Sequence, residues 1–333
     1  MKISSIVNYY GKMYTPYQGD LVNHLPMGQL AVYKLTGDLD KTRYYSKFYN
    51  QNKNINKVRE TFKKVNTLEE TLGKRNLYES ALNILEKEMT HDNVEYYIKK
   101  ILNEYPLGMS SGLFHVLIRL AYAYEGYQID SGYLPELRRA VAYYITAYRK
   151  ASKFNRKIKY ENIIKEAENL FNNKNIKKVL SQKDSLGLKM KALYEHEEYM
   201  EKGFIIEGSI DKKLKGVLNL SLNSYLNSES IVALHCITGT HALIVLREFQ
   251  KNFSSNIDIL TTCIVSHLIS SEIGDYKLHP SNSKDLKWEE LQIGLENEED
   301  VHAVKLAYTA QELNNIFPDK RHILSAGKRL NKS

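Results

Sequence analysis

The stretch that most constrains the fold is an apolar segment from Ile231 to Val245 that carries two histidines, His235 and His241. It contains no acidic residue, lysine or arginine, so we expect it to be buried. A buried imidazole is costly unless its ring nitrogens find partners, and a shared metal ion is the simplest partner for two. Six residues on an unbroken helix place the two side chains about 120° apart. They can share one ion only if Gly239 breaks or kinks the helix, or if other histidines complete the site. The alternative is two core histidines bonded to carbonyl or hydroxyl oxygens.

Helical spacing elsewhere predicts an all-α protein. Six prolines and seventeen glycines are few for 333 residues, and apolar residues at 43% suffice for a sizeable core. No linker rich in Pro, Gly or Ser and no internal repeat divides the chain. We therefore expect residues 1–333 to form a single large multi-helix domain with a histidine-lined central pocket.

Apolar residues three and four positions apart locate the individual helices. A short helix is predicted within Asn23–Gly37, with Pro26 in its first turn and Gly37 as its stop. A longer helix carries His115, with Ser110 or Ser111 as its cap. The other clear helical patterns cover Leu77–Glu88, Val94–Leu102, Leu134–Tyr148, Ile257–Ile273 and the segment around His302.

The net charge of +8 is concentrated in one place. Between Arg149 and Lys183 there are eleven Lys or Arg and three Glu, and this excess of eight accounts for the whole net charge. We interpret residues 149–183 as a basic surface segment, and we expect no nucleic-acid partner.

Cysteine usage and hydropathy indicate a cytoplasmic protein. Cys236 and Cys263 lie in apolar stretches, as reduced core thiols do. The N-terminal residues lack the apolar core of a signal peptide. No run of about eighteen apolar residues is free of polar interruptions, so no membrane span is expected.

Histidine is the residue type that suggests chemistry. Five of the ten histidines lie in or beside apolar helical segments, and these are His24, His115, His235, His241 and His302. The other five mostly have polar or loop surroundings, except that His267 lies in the apolar segment Ile257–Ile273, and these are His91, His196, His267, His279 and His322. Imidazole suits Fe, Zn, Cu or Ni, and without HExxH or CxxC the spacing does not identify the metal.

Lys305 lies three residues after His302, so both side chains project from one helix face. An ammonium group cannot bind a metal, but a buried lysine can lose its proton and be carboxylated. The alternative is a lysine whose stem packs while its head reaches water. No GxGxxG, GxxxxGK[ST], GxSxG or CxxCH motif supports a Rossmann cofactor domain, a P-loop, an α/β-hydrolase or attached c-type haem.

Five blocks of the sequence together resemble the questin oxidase-like family. In family order they are NHLPM at Asn23–Met27, DKTRYYSKFY at Asp40–Tyr49, GLFHVLIRLAYAYE at Gly112–Glu125, HCITGTHAL at His235–Leu243 and DVHAVKLAYTAQEL at Asp300–Leu313. The resemblance implies an all-helical oxygenase acting on aromatic or quinone substrates of polyketide type. It also implies that the histidines of these blocks hold Fe(II), with Lys305 as a carboxylated ligand. The chain is shorter than fungal members, and its substrate need not be theirs.

Three functions are consistent with these features. The first is a non-haem iron oxygenase that opens an aromatic ring with dioxygen, in which Arg119 orients a substrate phenolate or carboxylate. Aromatic residues of Tyr122–Tyr127 and Tyr143–Tyr148 would wall its pocket, with Tyr122 as a further candidate active-site residue. The second is an NADPH-dependent Baeyer–Villiger oxidase of the same family. The third is a non-catalytic helical scaffold whose basic segment binds an acidic partner.

Overall fold

A computed structural model describes residues 2–19, 21–278 and 286–332, and over these residues the protein is helical. Its helices are α1 Ile3–Gly11, α2 Leu25–Thr36, α3 Leu39–Asn52, α4 Tyr78–Glu88, α5 Val94–Glu104, α6 His115–Ile129, α7 Leu134–Thr146, α8 Ile163–Phe171, α9 Lys174–Ser181, α10 Leu186–Glu195, α11 Glu197–Lys202, α12 Ile210–Ser228, α13 Ile231–Val245, α14 Phe253–Ser270, α15 Trp288–Leu291, α16 Val301–Ile316 and α17 Lys320–Arg329. The prediction of an all-α fold is confirmed. His279 lies outside the described residues.

Two small two-stranded sheets and several short 3-10 helices lie between the α-helices of the described chain. Strands β1 (Tyr17–Gln18) and β2 (Leu21–Val22) pair antiparallel just before α2. Strands β3 (Arg156–Ile158) and β4 (Phe204–Ile206) pair in parallel, with Arg156 opposite Phe204.

Helix α13 is buried in the core, as its uncharged and largely apolar sequence predicts. It packs against α6, α12, α14 and α16, while α2 packs against α6 and α16. Its side chains from Val232 to Leu243 are buried, so no face of the helix is left to solvent. The four helices α2, α6, α13 and α16 therefore surround a common interior volume.

Local sequence determines both ends of α2 but not the start of α6. Helix α2 begins with Pro26 in its first turn and ends at Gly37, whose φ of 66° is the left-handed stop that glycine permits. The serine cap predicted for α6 is wrong. Leu113 and Phe114 take positive φ and turn the chain into the helix without a side-chain cap. Ser111 instead accepts a hydrogen bond from the backbone N–H of Arg149 at 2.7 Å.

The basic segment 149–183 comprises a loop, β3, α8 and α9. Many of its lysines are exposed, including Lys157, Lys159, Lys177 and Lys178. Among the described helices, none combines the length and apolar character that crossing a membrane requires.

Candidate metal centre

Four histidines that are far apart in the sequence converge in the interior. His24 immediately precedes α2, His115 is the first residue of α6, His235 lies in α13 and His302 is the second residue of α16. One ring nitrogen from each lies within 4.8 Å of those of the other three. Three rings are buried, and the His302 side chain is 20% exposed.

Three of the rings are oriented by a hydrogen bond at Nδ1. His115 Nδ1 donates to the carbonyl oxygen of Gly112, and His235 Nδ1 donates to that of Ile231 at 2.7 Å. His302 Nδ1 donates to a carboxylate oxygen of Asp300 at 3.0 Å. Because each acceptor requires the proton on Nδ1, the Nε2 atom carries the lone pair.

The Nε2 atoms approach one another closely. His115 Nε2 lies 2.9 Å from His235 Nε2 and 2.6 Å from His24 Nε2. In the tautomers fixed above, the nitrogens of His115 and His235 face each other with lone pairs and no proton between them. Such a contact is repulsive unless a cation binds both nitrogens.

A proton on one of the rings could in principle act as that cation, but the buried rings disfavour protonation. Burial lowers the pKa of His24, His115 and His235 well below the ordinary value, and the positive charge of neighbouring Lys305 lowers all three further. Burial also lowers the pKa of His302, although Asp300 opposes this shift. His24, His115 and His302 lie at helix N-termini, where the helix dipole also disfavours a charged imidazolium. The four rings are therefore neutral donors, as metal ligands must be.

Lys305 lies beside the cluster on α16. Its side chain has no solvent exposure, and Nζ has no hydrogen-bond partner among the described residues. Burial lowers the pKa of Lys305 to about 7, with Asp300 opposing the shift. The alternative that its head reaches water does not describe this lysine.

His241 lies apart from the four converging rings. Helix α13 continues unbroken through Gly239, so His235 and His241 point in different directions. The ring of His241 packs edge-on against Tyr308, with centroids 5.8 Å apart. Its Nδ1 has no partner among the described residues, and burial lowers its pKa to about 3.

The two predicted active-site residues on α6, Arg119 and Tyr122, are both buried, and only Tyr122 contacts the part of α16 that carries Lys305. Arg119 binds Glu136 through Nε at 2.9 Å and Nη2 at 2.8 Å, and its Nη1 has no partner in the described part of the chain. The hydroxyl of Tyr122 donates to the backbone carbonyl of Lys305 at 3.4 Å. Tyr122 therefore contacts the helix turn that carries Lys305.

Some of the sequence interpretations of single residues need correction. His322 is buried, although its neighbours in the sequence are mostly polar. His267 is buried within α14, as its apolar segment indicates, and neither histidine joins the cluster. Asp300, which orients His302, was not identified as a site residue. Its position two residues before a histidine at a helix start was the available signal. Cys236 and Cys263 are free, buried thiols, as predicted.

The fold and site define an all-helical protein with a buried four-histidine cluster that could bind a metal ion. In comparisons with known proteins, the chain matches no family model and no curated protein sequence. The likeness to the questin oxidase-like family rests on the sequence blocks given above.

Proposed function

We propose that this protein is a non-haem iron-dependent oxygenase that uses dioxygen to open a ring of an aromatic or quinone substrate. The observation that supports a metal centre is the contact of His115 Nε2 with His235 Nε2 at 2.9 Å, lone pair to lone pair. The oxygenase chemistry and the substrate class come from the resemblance to the questin oxidase-like family.

The donor set fits Fe(II). Neutral imidazole nitrogen is a good ligand for first-row transition metals, and His24, His115, His235 and His302 would hold the ion. When bound, Fe(II) supplies the electrons that activation of dioxygen requires. Burial of three rings limits access by water, and His302 is the most exposed of the four.

Lys305 would add an oxygen ligand after carboxylation. The neutral amine attacks carbon dioxide, the N–C bond forms, and one proton leaves as the amine becomes a carbamate with one negative charge. Burial favours this reaction because it keeps a large fraction of Lys305 uncharged near neutral pH. The negative charge of the carbamate would also partly neutralise a divalent ion whose other ligands are neutral.

Tyr122 and Arg119 are the residues proposed to face the substrate. Tyr122 lies against the Lys305 turn, and its ring packs edge-on with Tyr308 at 5.5 Å. Nη1 of Arg119 has no hydrogen-bond partner among the described residues, and a phenolate or carboxylate oxygen would accept a hydrogen bond from it.

Metal analysis of matched variants tests the metal centre. His235→Ala and His241→Ala each remove a buried histidine from α13, but only His235 belongs to the cluster. We expect about one transition-metal ion per wild-type chain, a large loss in His235→Ala and His302→Ala, and wild-type content in His241→Ala. A metal-free wild-type protein that takes up neither Fe(II) nor Co(II) would refute the proposal.

Oxygen uptake separates the two oxidases. With a hydroxylated polycyclic quinone as probe, we expect uptake that a chelator abolishes and added Fe(II) restores. Uptake that requires NADPH and persists in chelator would identify the Baeyer–Villiger alternative instead.

A further inference from the structure

We infer that Asp300 and Arg329 are positioning residues that fix the His302 ligand, so that the last helix of the described chain helps to set the metal affinity. The inference rests on the proposed metal centre. It assigns a function to two residues that do not contact the ion.

Asp300 is fully engaged at the start of α16. Its Oδ1 accepts hydrogen bonds from the backbone N–H and from the Nδ1–H of His302, both at 3.0 Å. Its Oδ2 lies 2.6 Å from Nη2 of Arg329. One carboxylate therefore caps the helix, orients the imidazole and binds a guanidinium group.

This support differs from that of the other rings. His115 and His235 are held by backbone carbonyls, whereas His302 is held by an anion. A carboxylate on the far nitrogen fixes the tautomer and makes the ring a stronger donor, and loss of such a partner commonly weakens metal binding about 10–100-fold. The carboxylate also places a negative charge near an ion that neutral rings surround.

Arg329 lies at the end of α17, which packs along α16. The Arg329 side chain is a quarter exposed, and the Asp300 side chain is one-third exposed. The ion pair keeps the second oxygen of Asp300 occupied, so that Oδ1 stays directed at His302. Losing Arg329 should loosen this geometry without removing the carboxylate.

A purely structural role is the competing explanation, because Asp300 is also a helix cap. The chain contains a matched pair that isolates this role. Asp319 caps α17 through the backbone N–H of Arg321 at 2.9 Å and binds the Arg321 side chain at 2.6 Å. Like the Asp300 pair, this pair combines a helix cap with a carboxylate–guanidinium contact, although Arg321 also donates to Asn219 and Asn223. No described contact joins Asp319 or Arg321 to a cluster histidine.

Chelator competition with Co(II) tests the inference on the full chain, with thermal unfolding of the metal-free protein measured in parallel. Asp300→Asn keeps the helix cap, since Asn caps as well as Asp, but removes the charge. We expect its Co(II) affinity to fall about 10-fold or more. Arg329→Gln should show a smaller loss in the same direction, and both should shift the visible absorption of bound Co(II).

The matched variants Asp319→Asn and Arg321→Gln should lower the unfolding temperature while leaving Co(II) affinity and spectrum unchanged. If Asp300 and Arg329 act on one ligand, the double variant should lose less affinity than the product of the two single losses. Wild-type affinity and spectrum in Asp300→Asn would overturn the inference while leaving the metal centre intact. Failure of the wild-type protein to bind Co(II) or Fe(II) would overturn both.

Discussion

Gly239 in α13 packs so closely on Phe114 that an added Cβ would lie 2.8 Å from Cγ of the ring. Phe114 holds a left-handed φ of 64° and immediately precedes His115, the first residue of α6. Helix α13 runs unbroken through Gly239, so the glycine is not a helix breaker. It allows the start of α6, and with it the His115 ring, to approach α13.

Substituting Gly239 with Ala should destabilise the protein and weaken its metal binding. In an open helix the change would stabilise by up to about 1 kcal/mol. Here the buried ring must move, and overpacking of this kind costs about 1–3 kcal/mol. Urea unfolding and Co(II) affinity measure the two effects. Gly187→Ala in α10 is the control, since its Cβ would meet nothing within 4 Å, and it should be neutral or stabilising. A stabilised Gly239→Ala with normal affinity would contradict this account of the contact.

The histidine cluster could be anticipated from sequence only as a set. Apolar surroundings and family blocks selected five histidines, and four of them converge. His241 was selected because it shares an apolar segment with His235, but helix geometry already indicated that the two diverge unless the helix breaks. The direction in which each side chain leaves the helix was therefore a better guide to cluster membership than the short separation of His235 and His241 in the sequence.

The supporting residues were harder to foresee for a physical reason. Asp300 has a local signal, because it precedes the helix that carries His302. Arg329 has none, since only the packing of α17 on α16 brings it to Asp300. The left-handed turn at Leu113 and Phe114 is likewise imposed by packing, since neither residue type favours positive φ.

Metal should stabilise the folded protein measurably. An ion that binds the native state alone contributes about 2.7 kcal/mol at one hundred times its Kd. For a chain of 333 residues, that corresponds to a rise in Tm of about 4 °C. Differential scanning fluorimetry with Co(II) and then excess chelator should show the rise and its reversal. His241→Ala should show the same rise in Tm as the wild type. A wild-type Tm that does not change when metal is added would contradict the proposed metal centre.

Replacing Arg119 should lower the free energy of unfolding, whether or not this residue binds substrate. Glu136 is buried between Arg119 and Arg139, which lie 2.8 and 2.7 Å from its two oxygens. Breaking a buried pair by truncating one partner costs about 3–5 kcal/mol, so Arg119→Met should lose stability of that order in urea unfolding. Arg119→Lys should lose less, because a charge remains for Glu136, although it cannot reproduce both contacts. A loss below about 1 kcal/mol in the Met variant would show that the pair is not structurally important.

Glu125 should make stability depend on pH in the weakly acidic range. Burial raises the pKa of Glu125 from 4.5 to about 7, while the Tyr308 hydroxyl and Lys34 oppose the shift and Glu312 adds to it. Because the folded pKa is raised, the stabilising contribution is complete below pH 4.5 and is lost as pH rises through 7. Since Glu125 is partly exposed, we expect a loss of about 1–2 kcal/mol across that window. Unfolding free energies of wild type and Glu125→Gln, taken at several pH values, should differ in slope only between pH 4.5 and 7, and parallel profiles would rule out this assignment.

Replacing Lys305 should raise the stability of the metal-free protein and weaken its metal binding. Its Nζ is buried without a partner among the described residues, so Lys305→Met should stabilise the metal-free protein by about 1–3 kcal/mol. The same variant should bind Fe(II) and Co(II) more weakly, because it cannot form a carbamate. In ¹³C-bicarbonate the wild type should show a carbamate carbon resonance that is absent in Lys305→Met, and bicarbonate should raise the metal affinity of the wild type alone. If Lys305→Met is stabilised but binds metal as tightly as the wild type, with no carbamate signal in either protein, then Lys305 is a buried amine near the site and not one of its ligands.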